Sequence, residues 1–424
     1  MITSVKIGEK YDVIVCGAGP AGSCAAIAAA RQGAKTLLIE ATSAAGGMGT
    51  MGLVSCMAPF SDQTKVIYYS LAVELMTRYK KRMNYDLSCW GWISISPEDL
   101  KTVYDEMLEE SSAKILFQST VCGVDTDNGH IKSVLVANKD GITSYTADSF
   151  VDCTGDGDLA AFSGADFEKG EDGEVQSSSL CFIISNIKTD KLTRKIHSGD
   201  SDGIWPEILA DNKYPLLSRH FVPTLIGGTL IVNGGHIFDV DSTNAAEVTN
   251  AYILGRKIAN QYHDALKEYL PEAFGDSYLV ETAPLLGIRE SRRIKGEYTL
   301  TIDDYYNRRS FDDEIARNCY YLDCHPSGKN KNEFIATEVG AYNPGESHGI
   351  PYRCLIPVGF DNLLVAGRCI SVDRQVFAST RVMPNCLATG EAAGIAAALH
   401  SKRNIPIREI EAAEIRKIMN YNFE

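Results

Sequence analysis

The 424-residue chain has no apolar stretch close to the roughly 20 residues that a membrane-spanning helix requires, so no span is expected. It is short of positive charge. Its 41 Lys and Arg face 55 Asp and Glu, and a net charge of −14 speaks against non-specific binding to nucleic acid or to an anionic membrane surface. The opening MITSVKIGEKYDV lacks the apolar core of a secretion signal, so export is not expected. Twelve cysteines in a chain this long do not make a disulfide framework. Cys16, Cys24, Cys153 and Cys386 lie in apolar strands or Ala-rich helices, where a thiol serves as a small hydrophobe, and the expected compartment is a reducing cytoplasm. Residues 165–349 show no internal repeat. What remains is the composition of a soluble globular protein, with length for roughly two to three domains.

Tyr11 to Glu40 reads as strand, tight turn, helix and strand. YDVIVC is an apolar run, the helix from about Ala21 to Gln32 is built of small residues, Gly33 ends it, and KTLLIE follows. Two flanking helices are predicted, one over Asp62 to Met83 and one over SPEDLKTVYDEMLEE, with Ser96 as N-cap and Pro97 in the first position. From Lys114 to Cys153 the period becomes two. The runs KILFQSTVCGVDT, HIKSVLVAN and TSYTADSFVDC, with an Asn128-Gly129 turn, predict an antiparallel meander beside a parallel sheet, not inside it. Residues 165–349 mix strand-like pieces with a helical stretch from Thr243 to Leu270 and are read as an inserted α+β domain. DNLLVAGRC then returns to a buried strand, followed by a helix of small residues and a charged terminal helix, IREIEAAEIRKIM. The expected architecture is α/β: a Rossmann-like domain over 1–164, a substrate or cap domain over 165–349, and a return segment with a C-terminal helix over 350–424.

Gly17, Gly19 and Gly22 form G-x-G-x-x-G between a strand and a helix, and Glu40 ends the next strand. The glycines allow a tight turn, close approach to a pyrophosphate and close helix packing, while the acid suits a ribose hydroxyl pair. The alternative is a Gly-rich turn of an unrelated α/β fold. This fingerprint, Gly46-Gly47, VDCTGDGDLAAFSGA, GIRESRRIKGEYTLT and NLLVAGRCIS…STRVMPNCLATGEAAGIAAAL occur in this order from Tyr11 to Leu399. Together they resemble the FAD-dependent oxidoreductase family of bacterial flavoproteins, within the glutathione-reductase-like FAD fold.

The resemblance implies FAD as cofactor. It implies that Gly17, Ala18, Gly19, Pro20 and Ala21, with Gly22 completing the fingerprint, wrap the pyrophosphate and that Glu40 holds the adenosine ribose. Gly46, Gly47 and Met48 would run along the middle of FAD, and Val121 would meet the adenine through its backbone. Thr154, Gly155 and Asp156 would close over the same half. The Asp-rich DCTGDGD lacks the alternating ligands and terminal Glu of a calcium loop, and no metal site is predicted. Gly367 and Arg368 fall at the ribityl-phosphate region, and Ser379, Thr380, Arg381 and Val382 at the ring edge. A second complete fingerprint is missing before the late helix, so its N-terminus is expected to face the flavin ring of the same site.

Flavins carry hydride chemistry themselves, so the protein must place a small-molecule substrate and supply charge clamps and a proton partner. The candidates are Arg289, Arg292, Arg293, Arg374 and Arg381, with Glu290 and His325. The arginines suit an anion, which is either a substrate acid, the FAD phosphates or a buried Asp. His325 lies in an Asp-x-His pattern with Asp323 and is either a proton partner or a hydrogen-bonded loop histidine. Cys319 and Cys324 have the five-apart spacing of a redox pair but fall in the inserted segment, and two unrelated thiols is the other reading. The expected activity is two-electron oxidation or reduction of a small organic, anionic substrate at flavin N5. A flavin monooxygenase or an FAD-binding electron relay working with a partner are the alternatives, and the electron donor or acceptor is left open.

Overall fold

Four consecutive apolar residues, Val13 to Cys16, have no solvent exposure at all, which requires cover on both faces of the strand they form. The computed structural model describes residues 4–197, 199–200, 202–218, 220–328, 335–337 and 341–420. In it β1 (Lys6–Cys16), α1 (Pro20–Arg31) and β2 (Thr36–Ile39) follow one another, and β1 and β2 pair in parallel. Helices α2 (Ser70–Arg82) and α3 (Pro97–Ser111) come next. Strands β3 (Lys114–Leu116), β4 (Thr120–Asp127), β5 (His130–Asn138) and β6 (Gly141–Asp152) complete the first half.

The sheet order is β3-β2-β1-β6-β5-β4. Lys114–Leu116 is therefore not part of the meander, as its alternation predicts, but pairs in parallel with β2 at the far edge. Nor does the meander lie wholly beside the parallel sheet. Strand β6 has β1 in parallel along one side, while its other side holds β5 over Gly141–Tyr145 and, further along, a parallel strand contributed by Leu363–Val365 over Phe150–Asp152. Helix α2 is also shorter than predicted. The Asp62 carboxylate accepts from the amides of Thr64 and Lys65, which turns the chain and leaves Ser70 to begin the helix.

A second, antiparallel sheet follows. Its strands β7 (Phe182–Ser185), β8 (Phe221–Ile226), β9 (Thr229–Gly234) and β10 (Tyr278–Thr282) run in the order β8-β9-β7-β10, and α4 (Ala245–Tyr269) comes between β9 and β10 in sequence. Asn244 caps α4 by accepting from the amides of Ala246 and Glu247. Trp205, Phe221, Phe182 and Tyr262 close this core, with ring centroids of Trp205 and Phe221 4.4 Å apart. Ile294, Leu300, Tyr305 and Ile315 pack with the first sheet.

The chain then returns through β11 (Leu363–Val365), α5 (Arg374–Thr380) and α6 (Met383–Arg403). The predicted terminal helix is broken. A short turn at Ile407–Glu409 precedes α7 (Ala412–Ile418). Helices α1 and α6 touch backbone to backbone. A Cβ on Gly390 would sit 2.0 Å from the Ala21 carbonyl oxygen, and one on Gly394 2.1 Å from that of Ala25. Gly394→Ala is expected to cost about 1–3 kcal/mol despite the better helix propensity of alanine, read as a lower urea midpoint; an unchanged midpoint would show that the helices separate freely.

On the same helix the buried Glu391 caps α2, accepting from the Leu71 amide at 3.1 Å and from the Ser70 hydroxyl. Burial raises its pKa from an ordinary 4.5 to about 8. An acid whose folded pKa is raised is most stabilising below the unfolded value, and that stability is lost as pH climbs through the folded one. Stability should therefore decline between about pH 4.5 and 8, and Glu391→Gln should flatten that decline in thermal melts across the window.

Candidate active site

One cavity of ≈ 1550 Å³ gathers the two halves of the chain. A single small-molecule pocket measures roughly 300–1,000 Å³, so there is room for a cofactor and a substrate together. The β1–α1 turn supplies Gly17, Gly19, Pro20 and Ala21 to its wall. Gly17 has φ +92°, and a Cβ there would lie 2.5 Å from the Cys153 carbonyl oxygen. Gly19, by contrast, has nothing within 4 Å of an added Cβ and opens on the cavity. Gly22 does not line it. A Cβ on Gly22 would fall 1.6 Å from the Gly17 oxygen, which makes it a packing glycine.

Glu40 reaches the cavity with both oxygens already accepting, Oε2 from the Ala18 amide at 2.6 Å and Oε1 from the Thr42 amide at 2.7 Å. It thereby holds the glycine turn in shape. Ala18 itself is fully buried behind the wall, and Gly46 donates to its carbonyl at 2.8 Å, also outside the cavity. Gly47, Met48 and Val121 line the cavity as expected. So do Thr154, Gly155, Gly367 and Arg368, whereas Asp156 stands back and pairs with Arg368 Nη2 at 2.7 Å. The other terminal nitrogen of Arg368, Nη1, is buried with no partner among the described residues. An unpaired guanidinium N–H beside a glycine turn and a helix N-terminus fits a phosphate.

At the other helix end Arg381, Val382 and Met383 enter the cavity with the first turn of α6. Ser379 and Thr380 do not. Ser379 donates to the Tyr320 carbonyl and accepts from Asn318 at 2.7 Å, and Thr380 is buried beside Phe377.

The five arginines sort into two groups. Arg293 and Arg374 both bind the buried Glu290, at 3.0 and 3.1 Å, and Arg292 binds Asp158 at 2.7 Å. These three are structural pairs, and Arg374 is not on the cavity wall. Arg289 and Arg381 are. Arg289 is buried with neutral partners, the Ser177 carbonyl, Ser179 Oγ, His220 Nε2 and Asn233 Oδ1. Burial, with the nearby Arg381, pushes its pKa down to about 10. Arg381 donates to the Asp323 carbonyl at 2.7 Å and lies 3.6 Å from that residue's carboxylate.

His325 lies 3.4 Å from Asp323 through Nε2 and 3.2 Å from His236 Nε2 through Nδ1. The His236 ring stacks on His220 at 4.9 Å. Burial and then Arg289 hold these histidines neutral, His325 down to about 4, His236 to about 2, and His220 well below its ordinary value. Asp323 is ionised despite its burial, with His325 and the two guanidiniums holding it low. The three rings offer nitrogens within 4.8 Å of one another, a spacing that can hold a cation, but Arg289 lies 3.2 Å from one of them and opposes it.

His220, His236 and Asn233 were not legible as site residues, although a signal existed. In HFVPTLIGGTLIVNGGH the two strands of a hairpin meet over Gly227-Gly228, and Phe221 pairs with Gly234, so the flanking histidines are brought side by side. Cys319 and Cys324 are free thiols.

A model of the FAD dependent oxidoreductase family matches residues 12–419. The chain belongs to that family, and FAD is its cofactor. Over 35 residues it is 60% identical to the digeranylgeranylglycerophospholipid reductase of Methanocaldococcus jannaschii, a match that spans 8% of this chain and 9% of that protein. Among solved structures, p-nitrophenol 4-monooxygenase from Pseudomonas putida superposes with a TM-score of 0.50 at 10% identity, covering 98% of this chain and 87% of that one. A geranylgeranyl bacteriochlorophyll reductase-like protein from Thermoplasma acidophilum gives 0.43 at 14% identity, covering 97% and 83%. At 10% identity the property shared with the monooxygenase is the fold. No helix among the described residues is long and apolar enough to cross a membrane.

The unpaired Arg368 Nη1 generates a test of the cofactor half. Arg368→Met should weaken FAD binding by about tenfold or more, the worth of one charged hydrogen bond, in fluorescence titrations of the flavin-free protein. Equal affinity would place the phosphates elsewhere.

Proposed function

We propose that the protein is an FAD-dependent oxidoreductase that transfers two electrons to or from a small organic anion. The observation that carries this reading is the pair Arg289 and Arg381, two guanidiniums on the wall of the cavity that the nucleotide fingerprint also lines. The three remaining candidate arginines are held by acids, whereas Arg289 has only neutral partners and Arg381 shares one acid, Asp323, at 3.6 Å. An anion bound between them would complete the charge balance of the site. FAD, when bound, supplies a two-electron hydride acceptor or donor.

The residues of this chain supply the rest. Gly19, Ala21 and Arg368 hold the phosphates, and the first turn of α6 presents amide donors and its positive dipole end, which stabilise nearby negative charge by up to about 2 kcal/mol. Arg289 and Arg381 orient the substrate, and His325 belongs to the proton-handling side. In this reading residues 1–164 and 350–424 form the cofactor domain, and 165–349 the substrate domain.

Anaerobic mixing of the yellow protein with hydroxy acids, amino acids, sugars and nicotinamides tests the reading through bleaching of the flavin band. Anionic compounds should bleach it. Arg381→Ala should weaken their binding about tenfold while leaving the melting temperature close to wild type. Bleaching by neutral sugars alone would overturn the anion clamp; product formation that requires oxygen and an external reductant would make the protein a monooxygenase. Protein that stays colourless with FAD would overturn the whole reading.

A further inference from the structure

Two neutral histidines and one ionised acid form a chain whose hydrogen-bond directions can be worked out from its ends. Asp323 only accepts, so the proton of neutral His325 faces it on Nε2. That leaves His325 Nδ1 bare, and it accepts from His236 Nε2–H across 3.2 Å. The remaining nitrogen of His236, Nδ1, is therefore an unprotonated acceptor. His236 is half-buried and lines the cavity.

Its position relative to the anion clamp is fixed as well. His220 accepts from Arg289 at 3.2 Å and stacks on His236 with the ring planes 10° apart. The His236 ring is thus separated from the guanidinium by one imidazole, and both line the same cavity. Resting on the function proposed above, we propose that this part of the cavity takes a 2-hydroxy acid, with its carboxylate on Arg289 and Arg381 and its hydroxyl proton accepted by His236 Nδ1.

In that step the O–H bond breaks and its proton forms an N–H bond on His236, where the bound carboxylate offsets the Arg289 charge that, after burial, keeps the ring neutral. The adjoining C–H bond breaks with its electron pair and hydrogen passing to the oxidised cofactor, which leaves a 2-oxo acid. A 2-amino acid fits less well, because its ammonium group would be a third cation beside two guanidiniums and would bring no free lone pair. Leu217, Val222, Phe238 and Ile288 give the rest of the substrate an apolar wall. His325 and Asp323 are positioning residues, and the charged or titratable groups facing His236 are Arg289, His325, Asp323 and His220.

The FAD-loaded full chain would be mixed without oxygen with lactate and 3-phenyllactate. The comparison compounds are 3-phenylpropionate, which lacks the hydroxyl, 2-phenylethanol, which lacks the carboxylate, and phenylalanine. At least one hydroxy acid should bleach the flavin band, and 3-phenylpropionate should shift it without bleaching. His236→Asn should slow bleaching by about 100-fold, the worth of a positioned base, with 3-phenylpropionate affinity unchanged. Asp323→Asn should slow bleaching too but tighten 3-phenylpropionate binding, since it removes a negative charge beside Arg381; a merely structural role would not move the two in opposite directions. If 3-phenylpropionate binds but neither hydroxy acid bleaches, or phenylalanine bleaches as fast, or His236→Asn bleaches at the wild-type rate, this inference fails and the anion clamp survives. If no carboxylate perturbs the flavin band, both fail.

Discussion

The backbone contact between α1 and α6 is the constraint on which the rest of the structure depends. Gly390 and Gly394 bring α6 so close to the Ala21 and Ala25 carbonyls that no side chain fits between. This closeness sets both helix N-termini on one cavity, one carrying the fingerprint glycines and the other Arg381 to Met383. The glycine turn and Arg381 stand at those two ends, and Arg289 and the three histidines face them from the segment between. Gly367 adds to the same contact, because a Cβ there would fall 2.9 Å from that of Ala21.

Charge is distributed unevenly around this frame. Away from the cavity Arg293 and Arg374 share the buried Glu290, and each meets a second acid, Glu168 and Glu171. On the cavity wall Arg368 and Arg381 each meet one acid, Asp156 and Asp323, but Arg289 meets none. Arg289 is held by a carbonyl, a hydroxyl, an amide oxygen and an imidazole, all neutral. Keeping a buried guanidinium without a bonded carboxylate is costly, and the cost makes sense where an anionic ligand arrives to complete the site. Burial, and then Arg289, keeps the three histidines neutral and so leaves lone pairs available on them.

Much of the first half was legible because local rules dominate there. The strand, the turn glycines and the acid ending the next strand each follow from short-range geometry, and the structure places Gly17, Gly19, Pro20, Ala21 and Glu40 on one wall. Gly22 takes the packing part of the fingerprint, against Gly17, and does not itself reach the cavity. Strand Lys114–Leu116 was misplaced because alternation reports the faces of a strand but not its neighbours, and β2 recruits it across a helix pair. The arginines were indistinguishable in sequence. Arg374 and Arg381 lie a few residues apart, yet one meets Glu290 and the other the cavity, and only the tertiary fold decides which acids reach them. Likewise Ser379 and Thr380 precede Arg381 but face Tyr320 and Phe377, because α5 turns them inward.

The central claim is that one cavity at the N-termini of α1 and α6 holds the cofactor and, against Arg289 and Arg381, an anion. A crystal structure of the protein grown with FAD and 3-phenylpropionate tests it most directly. The account predicts the pyrophosphate at Gly19, Ala21 and Arg368, the flavin ring at the first turn of α6, and the carboxylate between the two arginines. Density for FAD away from the glycine turn, or for the carboxylate away from Arg289 and Arg381, would contradict it.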